Sequence, residues 1–71
     1  MNLSQALDLA RILLADKALA SVEIEEDSED VYRLRITDPM LNLKSFRKLV
    51  EVADTYKQEL NFSNDQFFME T

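Results

Sequence analysis

The stretch VEIEEDSEDVYRLRI, residues 22–36, decides how this chain is read. Both of its ends alternate. Val22 and Ile24 fall on one side, Glu23 and Glu25 on the other; Tyr32, Leu34 and Ile36 fall on one side, Arg33 and Arg35 on the other. Successive side chains of a strand point to opposite faces, so a period of two marks a half-buried strand. Folded back through EDSED, the stretch sets Arg33 and Arg35 opposite Glu23 and Glu25. The apolar and the charge patterns therefore predict the same antiparallel hairpin. Neither Asn-Gly nor Asp-Gly is available for a tight turn, so a loop of about four or five residues is expected at the tip.

On the N-terminal side, residues 3–19, LSQALDLARILLADKAL, predict a helix. Leu3, Ala6, Leu7, Ala10, Leu13 and Leu14 recur at three- and four-residue spacing and are expected to form its core face. Asn2 suits the N-cap, with Gln5 three residues on reaching back as in a capping box; Ser4 is a rival cap. On the C-terminal side, Asp38 and Pro39 end the second strand and open a second helix, with Asn42 as another candidate cap. That helix is expected to bury Leu43, Phe46, Leu49, Val50, Ala53, Tyr56 and Leu60. Lys44, Arg47, Glu51, Asp54 and Gln58 lie opposite, and Asn61 takes a left-handed terminal position. In the tail FSNDQFFMET, a turn at Ser63, Asn64 and Asp65 precedes either a short strand over Gln66–Glu70 or a single helical turn.

Each of these elements has one apolar face. The simplest way to bury them together is an α+β two-layer sandwich, with both helices on one face of a small antiparallel sheet. The expected order is helix, hairpin, helix, then a short C-terminal closing strand or turn. A single domain over residues 1–71 fits the length.

Composition narrows the chemistry. The 71 residues hold 46% hydrophobic side chains, one Pro, and no Gly, Cys, His or Trp. Disulfides and Cys/His zinc sites are excluded, so a core this small depends on good packing or on association. Without His or Cys the usual proton shuttles and thiol nucleophiles are missing, and without Gly there is no phosphate cradle. No base accompanies Ser4, Ser21, Ser28, Ser45 or Ser63. No enzyme activity and no cofactor are expected. No apolar run approaches a bilayer span and MNLSQALDLA lacks a basic leader, which leaves the cytoplasm as the default compartment and no membrane partner.

The net charge of −6 comes from 14 acids and 8 bases, and Glu23, Glu25, Glu26, Asp27, Glu29 and Asp30 put six of those acids into eight positions. The rest of the chain is neutral. Direct nucleic-acid binding needs excess cations and is not expected. The run is a poor calcium loop, lacking the central Gly and a Glu at the twelfth position. With Glu23 and Glu25 balanced by the arginines, Glu26, Asp27, Glu29 and Asp30 remain as an acidic tip. It either keeps the loop wet or docks on a basic surface of a partner protein.

Two further patches qualify as contacts. Leu9 and Ile12 fall outside the expected core face of the first helix. They would be covered by Phe67 and Phe68, would form a stripe for a partner or a second copy, or would simply be exposed. Lys44, Arg47 and Lys48 crowd the start of the second helix, where cations oppose the helix dipole. They either pair locally, as Arg47 with Glu51, or form an anion or acidic-partner patch. EEDSED of one copy meeting KSFRK of the next would give a homo-oligomer. The sequence thus favours a small acidic protein-interaction module: an adaptor, regulator or inhibitor. An acidic mimic that blocks a nucleic-acid-binding protein, of the phage or mobile-element type, and a structural assembly subunit are the alternatives.

Overall fold

The computed structural model describes residues 1–15, 21–37 and 43–71. Along the chain come α1 (Leu3–Leu14), β1 (Ser21–Ser28), β2 (Val31–Thr37), α2 (Leu43–Thr55), β3 (Glu59–Ser63) and β4 (Gln66–Glu70). The strands form one antiparallel sheet in the order β1-β2-β4-β3, so the last strand inserts beside β2 and the two hairpins share the centre. The α+β sandwich is as the alternation and helical spacing imply, with one strand more than expected.

The first helix starts where its cap predicts. Asn2 is extended and its side chain accepts the Gln5 amide at 2.8 Å. The residue before it is also tied down: the Met1 carbonyl accepts the Tyr32 amide at 2.7 Å, and the Met1 amino group donates to the Tyr32 carbonyl at 3.1 Å. Met1 thereby satisfies the part of β2 that β4 does not reach, since the β2–β4 pairing runs only from Leu34 to Ile36.

The hairpin register matches the charge pattern, with Glu23 opposite Arg35 and Glu25 opposite Arg33. The tip is tighter than expected. Only Glu29 and Asp30 connect the strands, and the register shifts between Glu26 and Ser28, leaving Asp27 without a partner across. Asp30, at φ 59°, takes the left-handed conformation that Gly would otherwise supply; Asp tolerates it better than most residues.

The second helix stops at Thr55, short of the expected Leu60. Lys57 adopts φ 56°, its amide donates to the Asp54 carbonyl at 3.3 Å, and the Gln58 amide donates to the Ala53 carbonyl at 2.8 Å. This is a Schellman closure with Lys in the position usually given to Gly. Asn61, expected to end the helix, instead sits in β3 opposite Phe68. Leu60 faces Met69 and Phe62 faces Phe67. The strand alternation of 59–63 thus outcompetes a helical spacing that Leu60 happens to continue. Asn64 and Asp65, at φ 52° and 63°, form the two-residue turn into β4 with both central residues left-handed, the twist that a tight hairpin favours. The caps expected at Asp38 and Asn42 lie outside the described residues.

The core gathers Ala6, Leu9, Ala10 and Leu13 from α1, Leu34 and Ile36 from β2, Leu49, Val52 and Ala53 from α2, and Phe67 and Met69 from β4. Both helices therefore cover the same face of the sheet, α1 over β1 and β2 and α2 beside β3.

Each helix is rolled relative to its expected face. On α1 the buried residues include Leu9, 1% exposed, whereas Leu3, Leu7 and Leu14 are 45%, 48% and 53% exposed. The expected partner stripe of Leu9 and Ile12 is thereby corrected: Leu9 is core and Ile12 packs against the core. The core that covers Leu9 includes Phe67 of the tail. On α2, Ser45, Leu49, Val52 and Ala53 are buried, while Phe46, Val50 and Tyr56 stand partly in solvent. The physical reason lies in the width of the apolar arc. At 100° per residue, Leu, Ile and Ala occupy more than half of the circumference of α1, so spacing alone does not select which half turns inward.

Candidate functional site

The face of the sheet opposite α1 and α2 carries a charged ladder. Arg33 Nε donates to Glu25 Oε1 at 2.7 Å, and Arg33 Nη1 lies 3.6 Å from Asp27 Oδ1 and 3.8 Å from Glu70 Oε2. Arg35 pairs with Glu23 and reaches the other oxygen of Glu25 at 3.6 Å. The Arg33 guanidinium also sits 4.3 Å from the centre of the Phe68 ring, a cation–π arrangement. Phe68 is therefore no core residue; it is the platform on the outer face that β4 contributes to the ladder.

The hydrogen bond with Glu25 raises the Arg33 pKa above its ordinary value; burial opposes this, and the charges of Glu25, Asp27 and Glu70 add to it. The hydrogen bond and charge of Glu23 raise Arg35 in the same way. Stability tied to a raised base is lost only as pH climbs through its folded pKa, and for both arginines that pKa is pushed further up from an already high value, so neither switches in any ordinary pH range.

The predicted acidic tip splits. Asp27 is drawn into the ladder by Arg33, so it does not belong with the uncompensated charges. Glu26, Glu29 and Asp30 are exposed at the end of the hairpin. Among the described residues, no group of three or more acids is placed to hold a metal ion. Of the basic patch on α2, Lys44 and Arg47 are exposed and Lys48 is half-buried. The structure does not bring that patch into an ion pair with the tip among the described residues.

Sequence reasoning missed a groove. Rolling α1 leaves its Leu7 and Leu14 beside the outer edge of β1, where they join Ala10, Arg11, Ala15, Val22 and Ile24 around an open apolar depression of about 640 Å³. The signal was present: the leucines at 3, 7 and 14 form a second stripe next to the first. What sequence alone did not supply was the roll that exposes it. An aromatic patch lies at the opposite edge, where Phe46 and Phe62 flank Phe67 at centroid distances of 5.9 and 4.9 Å and Phe62 is 60% exposed.

Among the described residues, no helix is long and apolar enough to cross a membrane. Compared with protein-family models, with curated proteins and with solved structures, the chain matches none.

Proposed function

We propose that this protein is a small non-enzymatic interaction module of the cytoplasm that works by occupying a surface of a partner protein. The contact region is the acidic hairpin and the groove along its outer edge. The observation that carries this reading is the placement of Glu26, Glu29 and Asp30. All three are exposed at the end of a hairpin stiffened by its own ion pairs, and exposed Leu7 and Leu14 lie beside Val22 and Ile24 farther along its first strand. Charge at a protruding tip steers a basic partner and sets register, and apolar surface along the same strand supplies affinity. The ladder argues against the nucleic-acid mimic. Arg33 and Arg35 interrupt the negative surface, and a mimic requires continuous negative charge spaced like phosphates.

The test compares the intact protein with the triple variant Glu26→Gln, Glu29→Gln, Asp30→Asn as baits. A protein captured by the first and lost with the second is then titrated against both at low and high salt. Binding weakened about tenfold at low salt and much less at high salt is expected, one decade corresponding to about 1.4 kcal/mol. Equal binding at every ionic strength rules out the tip as the contact.

A further inference from the structure

We propose that the outer edge of β1, with the groove that α1 leaves beside it, takes up an extended peptide segment in which apolar and basic residues alternate. The proposal rests on the interaction-module reading and names the chemistry of the partner. β1 is the terminal strand of the sheet, and among the described residues no strand pairs with its outer edge. Such an edge presents a row of backbone donors and acceptors at the spacing a further strand would satisfy.

The two faces of that edge differ sharply. On the helix side, Val22 and Ile24 are half-buried and Leu7 and Leu14 rise beside them to wall the groove. An added strand lying about 4.8 Å from β1 would direct every second side chain into that apolar space. On the other side, its alternate side chains would meet Glu23 and Glu25. The Glu23 side chain is 56% exposed, and a carboxylate has room for about four hydrogen bonds, more than the arginines use. Arg11 at the rim of the groove adds to the selection, because it disfavours a basic residue on the apolar side.

The molecule already contains one strand that satisfies these demands. β2 pairs with the inner edge of β1, directing Tyr32, Leu34 and Ile36 to the core and Arg33 and Arg35 to Glu25 and Glu23. Opposite residues of neighbouring strands share a face, so the free edge of the same strand selects the same alternation. A second copy fits badly. Antiparallel pairing of β1 with β1 centred on Ile24 sets Glu23 against Glu25 in both directions and carries Glu26 toward the apolar groove. Like charges directly opposite are destabilising, and a desolvated carboxylate without a partner is costly.

The probe is the β2 strand supplied from outside: an end-blocked peptide VYRLRIT, the sequence of residues 31–37, titrated into the isotopically labelled protein and followed by NMR. Saturable shifts confined to the β1 amides and to the methyls of Leu7, Leu14, Val22 and Ile24 are expected. The double variant Leu7→Ser, Leu14→Ser changes two side chains about half exposed, so it keeps the fold, and it should weaken binding at least tenfold. The same peptide with both arginines replaced by glutamate should not bind.

In the peptide titration the proposal is overturned by no saturable binding up to about 1 mM peptide, by shifts centred on β4, which mark exchange with the resident β2, or by equal binding of the glutamate peptide. Self-association in sedimentation that the double variant abolishes assigns the groove to a second copy instead. A captured partner that is lost with the tip variant but retained by the Leu7→Ser, Leu14→Ser variant leaves the interaction module standing and removes the groove from it.

Discussion

The hairpin of β1 and β2 runs eight and seven residues, shifts register near its tip, and lays an ion-pair ladder on its open face; the hairpin of β3 and β4 has five residues a side and a two-residue turn. The second is held by aromatic contact, Phe62 against Phe67 and Phe67 against Phe46. Arg33 joins the two hairpins by stacking over Phe68 and reaching Glu70. The difference teaches a division of labour. Both hairpins feed the core, Leu34 and Ile36 from the first and Phe67 and Met69 from the second, but the first adds exposed ion pairs that follow its register where the second adds packed aromatic rings. Substitutions in the two should therefore differ in size and in their response to salt.

The largest effect is expected from Phe67→Ala. The ring is 8% exposed and touches aromatic neighbours from α2 and β3, so its loss removes buried area and leaves a cavity. Large-to-small changes of this kind cost about 3–5 kcal/mol. A domain of this size has a total stability of only about 5–10 kcal/mol, so the variant should sit near its unfolding midpoint in mild denaturant. Because the loss is one of packing, added sodium chloride should not reduce it. A denaturation curve like that of the parent would mean that the second hairpin is peripheral.

Arg33→Met should cost less, about 1–2 kcal/mol, combining exposed ion pairs worth about 0.2–1 kcal/mol each with a cation–π contact of similar size. Arg35→Met should cost less again, because Arg35 pairs with Glu23 and Glu25 but stacks on no ring among the described residues. Both deficits should shrink in 1 M salt, where the screening length falls to about 3 Å. An Arg33 deficit that persists unchanged in salt would show that stacking on Phe68, and not charge, is what joins the hairpins.

The same contrast explains how much of the molecule was legible in its sequence. The charged hairpin was readable because two independent patterns, apolar alternation and charge alternation, agreed on one register; Glu23 with Arg35 and Glu25 with Arg33 came out as drawn. The aromatic hairpin was half legible. Its second strand was one of two readings, and its first was hidden because Leu60 continues the spacing of α2, while the true stop is made by Lys57, a residue with no preference for the left-handed region. The groove was illegible for a different reason. Leu3, Leu7, Leu9, Leu13 and Leu14 offer two adjacent stripes, and the choice between them depends on how α1 seats against Leu34, Ile36 and Met69, which local spacing does not encode.

The smallest expected effect has the opposite sign. In the turn of the second hairpin Asp65 holds φ 63°, a conformation that burdens a residue with a Cβ and suits Gly. Asp65→Gly completes the Asn-Gly pair preferred for such a turn. It should raise stability by a few tenths to about 1 kcal/mol, part of the relief being offset by the greater freedom of Gly in the unfolded chain. In a domain of this length that is a rise of a few degrees in Tm. Asp30→Gly in the first hairpin relieves a similar angle, φ 59°, but next to a shifted register that no turn residue repairs. Its gain should come with a different signature: removing one of the crowded tip acids makes it larger at low salt than at high salt, whereas the Asp65 gain should be insensitive to salt. A loss of stability in Asp65→Gly would mean that the Asp side chain itself holds the second turn, and that the aromatic hairpin too depends on a polar contact.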